Sequence, residues 1–426
     1  MSNIDDFQRK AAELDSSDPL SGFRERFFSG SETIYLDGNS LGRLPIDTIS
    51  LMQQMVEQQW GDWLIRSWNE HWLGLPRRIA GKIARLVGAE EDEIFVGDST
   101  SVNLYKLAYG TLSLQQGRTE ILSDDLNFPS DFYVLQGLIK SHFQYHVLNI
   151  QKAEDGIHAP IDALETSIND NTALICLSHV AFKSAFMYDM ARLNELAAEK
   201  DTKIIWDLSH AVGSVPLKLN EWGAEMAVGC TYKYINGGPG APAFLYVRKD
   251  LQPLLESAIW AWFGHARPFE FGHHYEARND VWKYAAGTPP ILSIAAIEPG
   301  LDLLLNAGTD ALRSKSLGMS AFFFEMYKQL LEPLGFSWAS PTNPLQRGSH
   351  VSISHPEGFR ICKALIAPND GSIPIIPDFR KPDNIRLGFA PLYNTHRELA
   401  EAVARIAAIV RNNVYLEYDP SLGAVT

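Results

Sequence analysis

The chain has 426 residues, with 37 Lys and Arg against 51 Asp and Glu, a formal charge of −14, and 46% hydrophobic residues. That length sustains two or three domains around a large buried core and excludes a small stapled module. The ordinary composition excludes disordered and fibrous classes, and the acidic balance repels phosphate backbones, so no nucleic-acid partner is expected.

The first 19 residues are polar and acidic and contain no apolar core of leader length. No uninterrupted apolar run is long enough to span a bilayer, so no membrane partner is expected and the cytoplasm is the expected location. From about Leu44 to Val247 short apolar runs alternate with helix-period stretches, the pattern of a mainly parallel sheet covered by helices. Strands are predicted over 93–97, 119–125, 145–150, 173–180, 203–209, 226–230 and 243–248, with helices over 101–112, 130–143, 161–168 and 190–200 between them. After a loop-rich stretch from Phe263 to Pro290, a long amphipathic helix is predicted over 310–334. Strand-like runs at 349–355 and 384–390 follow. The expected division is a large α/β unit at 45–300 and a smaller α+β unit built from 1–44 and 301–426.

Cys176, Cys230 and Cys362 are odd in number and far apart, which does not indicate a disulfide framework. His273 and His274 are adjacent, point apart and lack spaced partners, so no metal site is expected.

Chemistry concentrates in WDLSHAVG (206–213) and GCTYKYINGGPG (229–240). Asp207 and Lys233 fall at the carboxyl ends of predicted buried strands, where open α/β sheets place ligands. A lysine there fits a Schiff base to pyridoxal phosphate, with Asp207 keeping the pyridine nitrogen protonated. Taken singly, each reads more readily as a solvent-facing loop lysine or as a helix-cap or strand-end carboxylate, but taken together with the glycine-rich turn after Lys233 that plain reading is the poorer account. The glycines 237, 238 and 240 after Lys233 give a compact turn that a second chain or ligand can approach. His210 is either a contact to the cofactor's phenolate edge or a satisfied core histidine.

Ser99, Thr100 and Ser101 open a helix and form either a phosphate cradle or a plain cap. In NFPSD, Phe128 is a candidate ring-stacking residue and Asp131 a candidate orienting group; Pro129 at the entry equally suits a capped helix. YLDGNSLG (35–42), with Asn39 and Ser40 between glycines, is weak evidence on its own, because such a turn is usually only a turn. The tryptophans 60, 63, 68, 72, 260 and 262 form either a ring-accepting pocket or helix-face core, the latter expected for Trp60 and Trp63 from their spacing. Arg386 is either a bidentate clamp for a substrate carboxylate or a member of a surface ion pair.

With these segments in order from Tyr35 to Asn394, together with WFGH (262–265) and RLGFAPLYN (386–394), the chain resembles the kynureninase family of fold-type-I pyridoxal-phosphate enzymes. Several single motifs are shared with cysteine desulfurases; the set is not. The resemblance implies hydrolysis of L-kynurenine to anthranilate and L-alanine in tryptophan breakdown. Lys233 is then the Schiff-base lysine and Asp207 the pyridinium partner. Tyr232, Thr100 and Ser101 become phosphate contacts. Phe128, Pro129, Ser130, Asp131, Ser184 and His210 become cofactor contacts, and Arg386, Trp68 and Asn39 substrate contacts. Trp262 and Thr288 would reach the cofactor from the second subunit, implying a homodimer with shared sites. Thr288 and Trp68 replace the asparagine and histidine of animal members, which resembles the bacterial form and its preference for unhydroxylated kynurenine. Tyr232 either moves a proton near the substrate ketone or only binds phosphate. Two rivals are a desulfurase or selenocysteine lyase, which needs a mobile cysteine, and a cofactor-fold binding module without turnover.

Overall fold

The computed structural model describes residues 2–30 and 32–421. The large sheet holds seven strands: β1 (Ile94–Val96), β2 (Glu120–Asp124), β3 (Val147–Gln151), β4 (Thr172–Ser178), β5 (Lys203–Asp207), β6 (Met226–Gly229) and β7 (Phe244–Val247). Their spatial order is β1-β7-β6-β5-β4-β2-β3, and every neighbour pair is parallel except those made by β7. All seven predicted strands are present within a few residues of their expected bounds. Strands buried on both faces read as continuous apolar runs, and β4 (TALICLS) is buried at every position.

Two cores lie on the large sheet. One includes Ile79 and Ile83 of α1 (Leu75–Val87) and Ile294 and Leu301 of α5 (Ile291–Ala307). The other joins Leu104 and Leu107 of α2 (Thr100–Leu114) to Leu135 and Leu138 of α3 (Pro129–Ser141). A third core surrounds a four-stranded antiparallel sheet of β8 (Ser337–Trp338), β9 (His350–Ser354), β10 (Asp378–Arg380) and β11 (Asn384–Gly388), in the order β10-β11-β9-β8. The N-terminal helix (Ser2–Ser16) supplies Phe7 and Ala11 to that third core, and Ile34–Tyr35 pairs in parallel with Ile375–Ile376.

The helix predicted over 310–334 begins as α6 (Thr309–Met326) and then loosens into a π turn at Tyr327–Leu331 and a 3-10 turn ending at Leu334. Pro333 cannot donate to an α-helical ladder, so regular winding stops before it. The expectation that Trp60 and Trp63 lie in a helix-face core is overturned. They are 56% and 41% exposed. The segment winds as π turns at Met55–Asp62 and Trp68–Trp72 around a 3-10 turn, and Leu64 has φ of 54°, so no helical face is continuous.

Two close approaches fix the loop that carries Lys233. A side chain at Gly42 would meet the Lys233 carbonyl at 2.3 Å, and one at Gly300 would meet the Ile235 carbonyl at 2.0 Å. The Gly42 amide donates to the Tyr232 carbonyl at 2.8 Å, so the YLDGNSLG turn packs directly against the lysine loop.

Candidate active site

Parallel strands end in a row, and the segments leaving β5 and β6 bring Asp207 and Lys233 to one cavity of about 180 Å³. Its wall includes Thr100, Ser101, Phe128, Ser130, Asp131, His210 and Tyr232, so nine of the predicted residues share one space. The N-termini of α2 and α3 converge there, where the Ser101 and Ser130 hydroxyls lie 2.8 Å apart. Ser99 caps α2 by accepting from the Val102 amide at 3.3 Å, leaving neighbouring hydroxyls directed to the cavity wall. Two helix N-termini with paired hydroxyls form a suitable cradle for a phosphate dianion.

The Lys233 Nζ lies 2.9 Å from His210 Nε2, about 6 Å above the rings of Phe128 and Tyr232. Burial lowers the lysine's pKa, with Asp207 acting in the opposite direction. Burial, and then the lysine's charge, push His210 well below the usual histidine range, so its ring is neutral, with Nε2 facing the amine. Asp207 accepts from the Ser209 amide at 2.9 Å and hydroxyl at 2.6 Å. Burial raises Asp207, while these hydrogen bonds and Lys233 restrain the rise. Asp131 is raised well above the carboxylate range by burial and by Asp207, and its Oδ2 is buried without a partner. Both carboxylates line this buried cavity, where the charge on Asp207 disfavours ionisation of Asp131. A protonated heteroaromatic nitrogen inserted beside Asp207 would relieve that arrangement. The residues present therefore fit a pyridinium ring with a phosphate tail.

The remaining predicted residues lie elsewhere. Pro129 begins α3. Ser184 is 1% exposed, and its hydroxyl accepts from the Phe186 amide. Arg386 is 1% exposed and bonded to the Phe182 carbonyl at 2.6 Å and the Ser40 hydroxyl at 2.7 Å, with Asp378 as its ion-pair partner. The surface ion pair considered for it is thus corrected to a buried one. Asn39 is buried against Gly388. Trp68 packs on Trp72 and Phe263, Trp262 is 41% exposed, and Thr288 is exposed. Ser209, Asp37 and Asp378 were missed. Ser209 was legible from the D-x-S spacing of a side-chain-capped turn; the other two depend on contacts between distant segments.

Cys362, the residue expected to test the desulfurase reading, is 1% exposed inside the helix Gly358–Ile366, and burial pushes its thiol upward. Cys176, Cys230 and Cys362 are free thiols. Among the described residues no cluster of His, Cys, Asp and Glu is arranged to hold a metal ion, and no single helix is long and apolar enough to cross a membrane.

The architecture matches the cysteine desulfurase of Thermococcus onnurineus NA1 with a TM-score of 0.76 at 17% identity, over 94% of this chain and 98% of that one. It matches the cystine C–S lyase C-DES with a TM-score of 0.75 at 18% identity, over 88% and 97% of the two chains. The fold is thus that of the fold-type-I pyridoxal-phosphate class. Residues 312–406 match the kynureninase C-terminal domain. Kynureninases of Pseudomonas fluorescens and Burkholderia mallei (strain SAVP1) are each 37% identical, over 95% of this chain and 95% of theirs. This chain belongs to the kynureninase family.

Proposed function

We propose that this protein is a pyridoxal-phosphate-dependent hydrolase that converts L-kynurenine to anthranilate and L-alanine, working as a cytoplasmic homodimer. The observation that carries the reading is the junction of Lys233, His210, Asp207 and Asp131 in one buried strand-end cavity beside two helix N-termini. Lys233 would anchor the cofactor covalently, Asp207 would face its ring nitrogen, Phe128 would cover its ring, and Thr100, Ser101, Ser130 and Tyr232 would hold its phosphate. When bound, the cofactor supplies an electron sink for the charge left at the substrate's α-carbon.

The chain's own groups do the rest. Lys233 Nζ, its proton affinity lowered by burial, takes the proton from the α-carbon. Neutral His210 holds that amine in place through Nε2. Asp207, fixed by Ser209, keeps a proton on the heteroaromatic nitrogen. Arg386 binds the substrate carboxylate, and Tyr232 is positioned either to move a proton at the ketone or to bind phosphate. Trp262 and Thr288, both away from the cavity wall, are assigned to the neighbouring subunit's site, and Trp68 and Asn39 to the substrate. Trp68 and Thr288 support a preference for the unhydroxylated substrate. The division at 45–300 is part of this reading, with α5 straddling its boundary.

Anthranilate fluorescence on adding L-kynurenine to cofactor-loaded protein tests it. Wild type should produce signal, and Lys233→Ala should lose it entirely. An active alanine variant would overturn the mechanism.

A further inference from the structure

Around Arg386 the small sheet and the YLDGNSLG turn gather two acids and two bases, with Arg386 and Asp378 buried and Asp37 and Arg380 partly so. Asp378 pairs with Arg386 and accepts from Arg380 Nε at 2.8 Å, while Asp37 reaches the cluster through its backbone bridge to Gly388. One Asp37 oxygen, Oδ1, is buried without a hydrogen-bond partner. Arg386 has committed three N–H groups to Phe182, Ser40 and Asp378. With both carboxylates ionised the charges of Asp37, Asp378, Arg380 and Arg386 cancel, and a substrate carboxylate arriving at Arg386 would make the cluster net negative in a site of low dielectric.

We propose that Asp37 takes up a proton when the substrate's carboxylate docks on Arg386, so that the cluster remains neutral. This rests on Arg386 being the carboxylate site proposed above. The groups facing Asp37 are Asp378, Arg380 and Arg386 from the small sheet, Ser40 and Tyr35 from its own segment, Tyr234 from the lysine loop and Cys362 from the helix Gly358–Ile366. Burial pushes Tyr35, Tyr234 and Cys362 upward, so they stay protonated and uncharged near pH 7, and Asp378 is held between two guanidinium groups. Burial and then Asp378 raise Asp37 to about 6. A further negative charge raises it again, so proton uptake accompanies binding above that pH and affinity falls as pH rises.

The probe is 4-oxo-4-phenylbutanoate, which keeps a ring, ketone and carboxylate but has no amine to titrate. Calorimetry on cofactor-loaded protein, in two buffers of different ionisation enthalpy, counts protons per ligand bound. Wild type should take up more protons than Asp37→Asn and should bind about tenfold more weakly at pH 8 than at pH 6. The Asn variant should show a flatter profile. Asp378→Asn, which removes the like charge beside Asp37, should move the wild-type midpoint to lower pH. Equal uptake in wild type and Asp37→Asn, or an unmoved midpoint in Asp378→Asn, overturns the inference. Undiminished binding by Arg386→Met would instead overturn the carboxylate assignment itself.

Discussion

The strand-end cavity and the aromatic face solve opposite problems. In the cavity, charged and polar groups are buried and hold one another in place: Lys233 on His210, Asp207 on Ser209, Ser101 on Ser130. Across the segments at 60–65 and 260–271, large apolar groups are left in the open, with Trp60, Ile65, Trp260 and Phe271 all more than half exposed. A single chain thus organises its ionic chemistry internally while leaving its aromatic surface uncovered. Groups that must be precise sit on rigid strand ends; groups expected to meet a second copy sit on loosely wound turns.

Breaking the cavity should have the largest effect. Asp207→Ala removes the charge that Ser209 orients, and turnover should fall by on the order of a hundredfold or more, with loss of bound cofactor read from its visible absorbance. On the aromatic face, Trp60→Ser with Trp63→Ser should leave the cavity intact. If a second copy covers these rings, the dimer's dissociation constant should rise about 30-fold, as removal of a buried tryptophan anchor predicts; sedimentation at falling concentration reads it. An unchanged constant would place the dimer contact elsewhere. The smallest expected effect lies between the two regions. Gly42→Ala forces a methyl group against the lysine loop and should cost about 1–3 kcal/mol of stability, visible as a lowered melting temperature.

The same contrast explains what was legible from sequence. The strands were, because burial on both faces writes itself as an unbroken apolar run, and their ends then located Asp207 and Lys233. The aromatic segment was not, since Trp60 and Trp63 are spaced for an α-helical face that π and 3-10 winding removes. Nor was the importance of YLDGNSLG, whose partners Tyr232, Arg386 and Gly388 lie some two hundred to three hundred and fifty positions away. Local spacing carries no record of such contacts.

The lysine loop is clasped by Gly42 on one side and Gly300 on the other. A nascent chain therefore cannot seat that loop when residue 233 leaves the ribosome. About seventy further residues must emerge before the second clasp exists. A pocket that depends on both clasps is therefore complete only when the chain has been made well past its lysine.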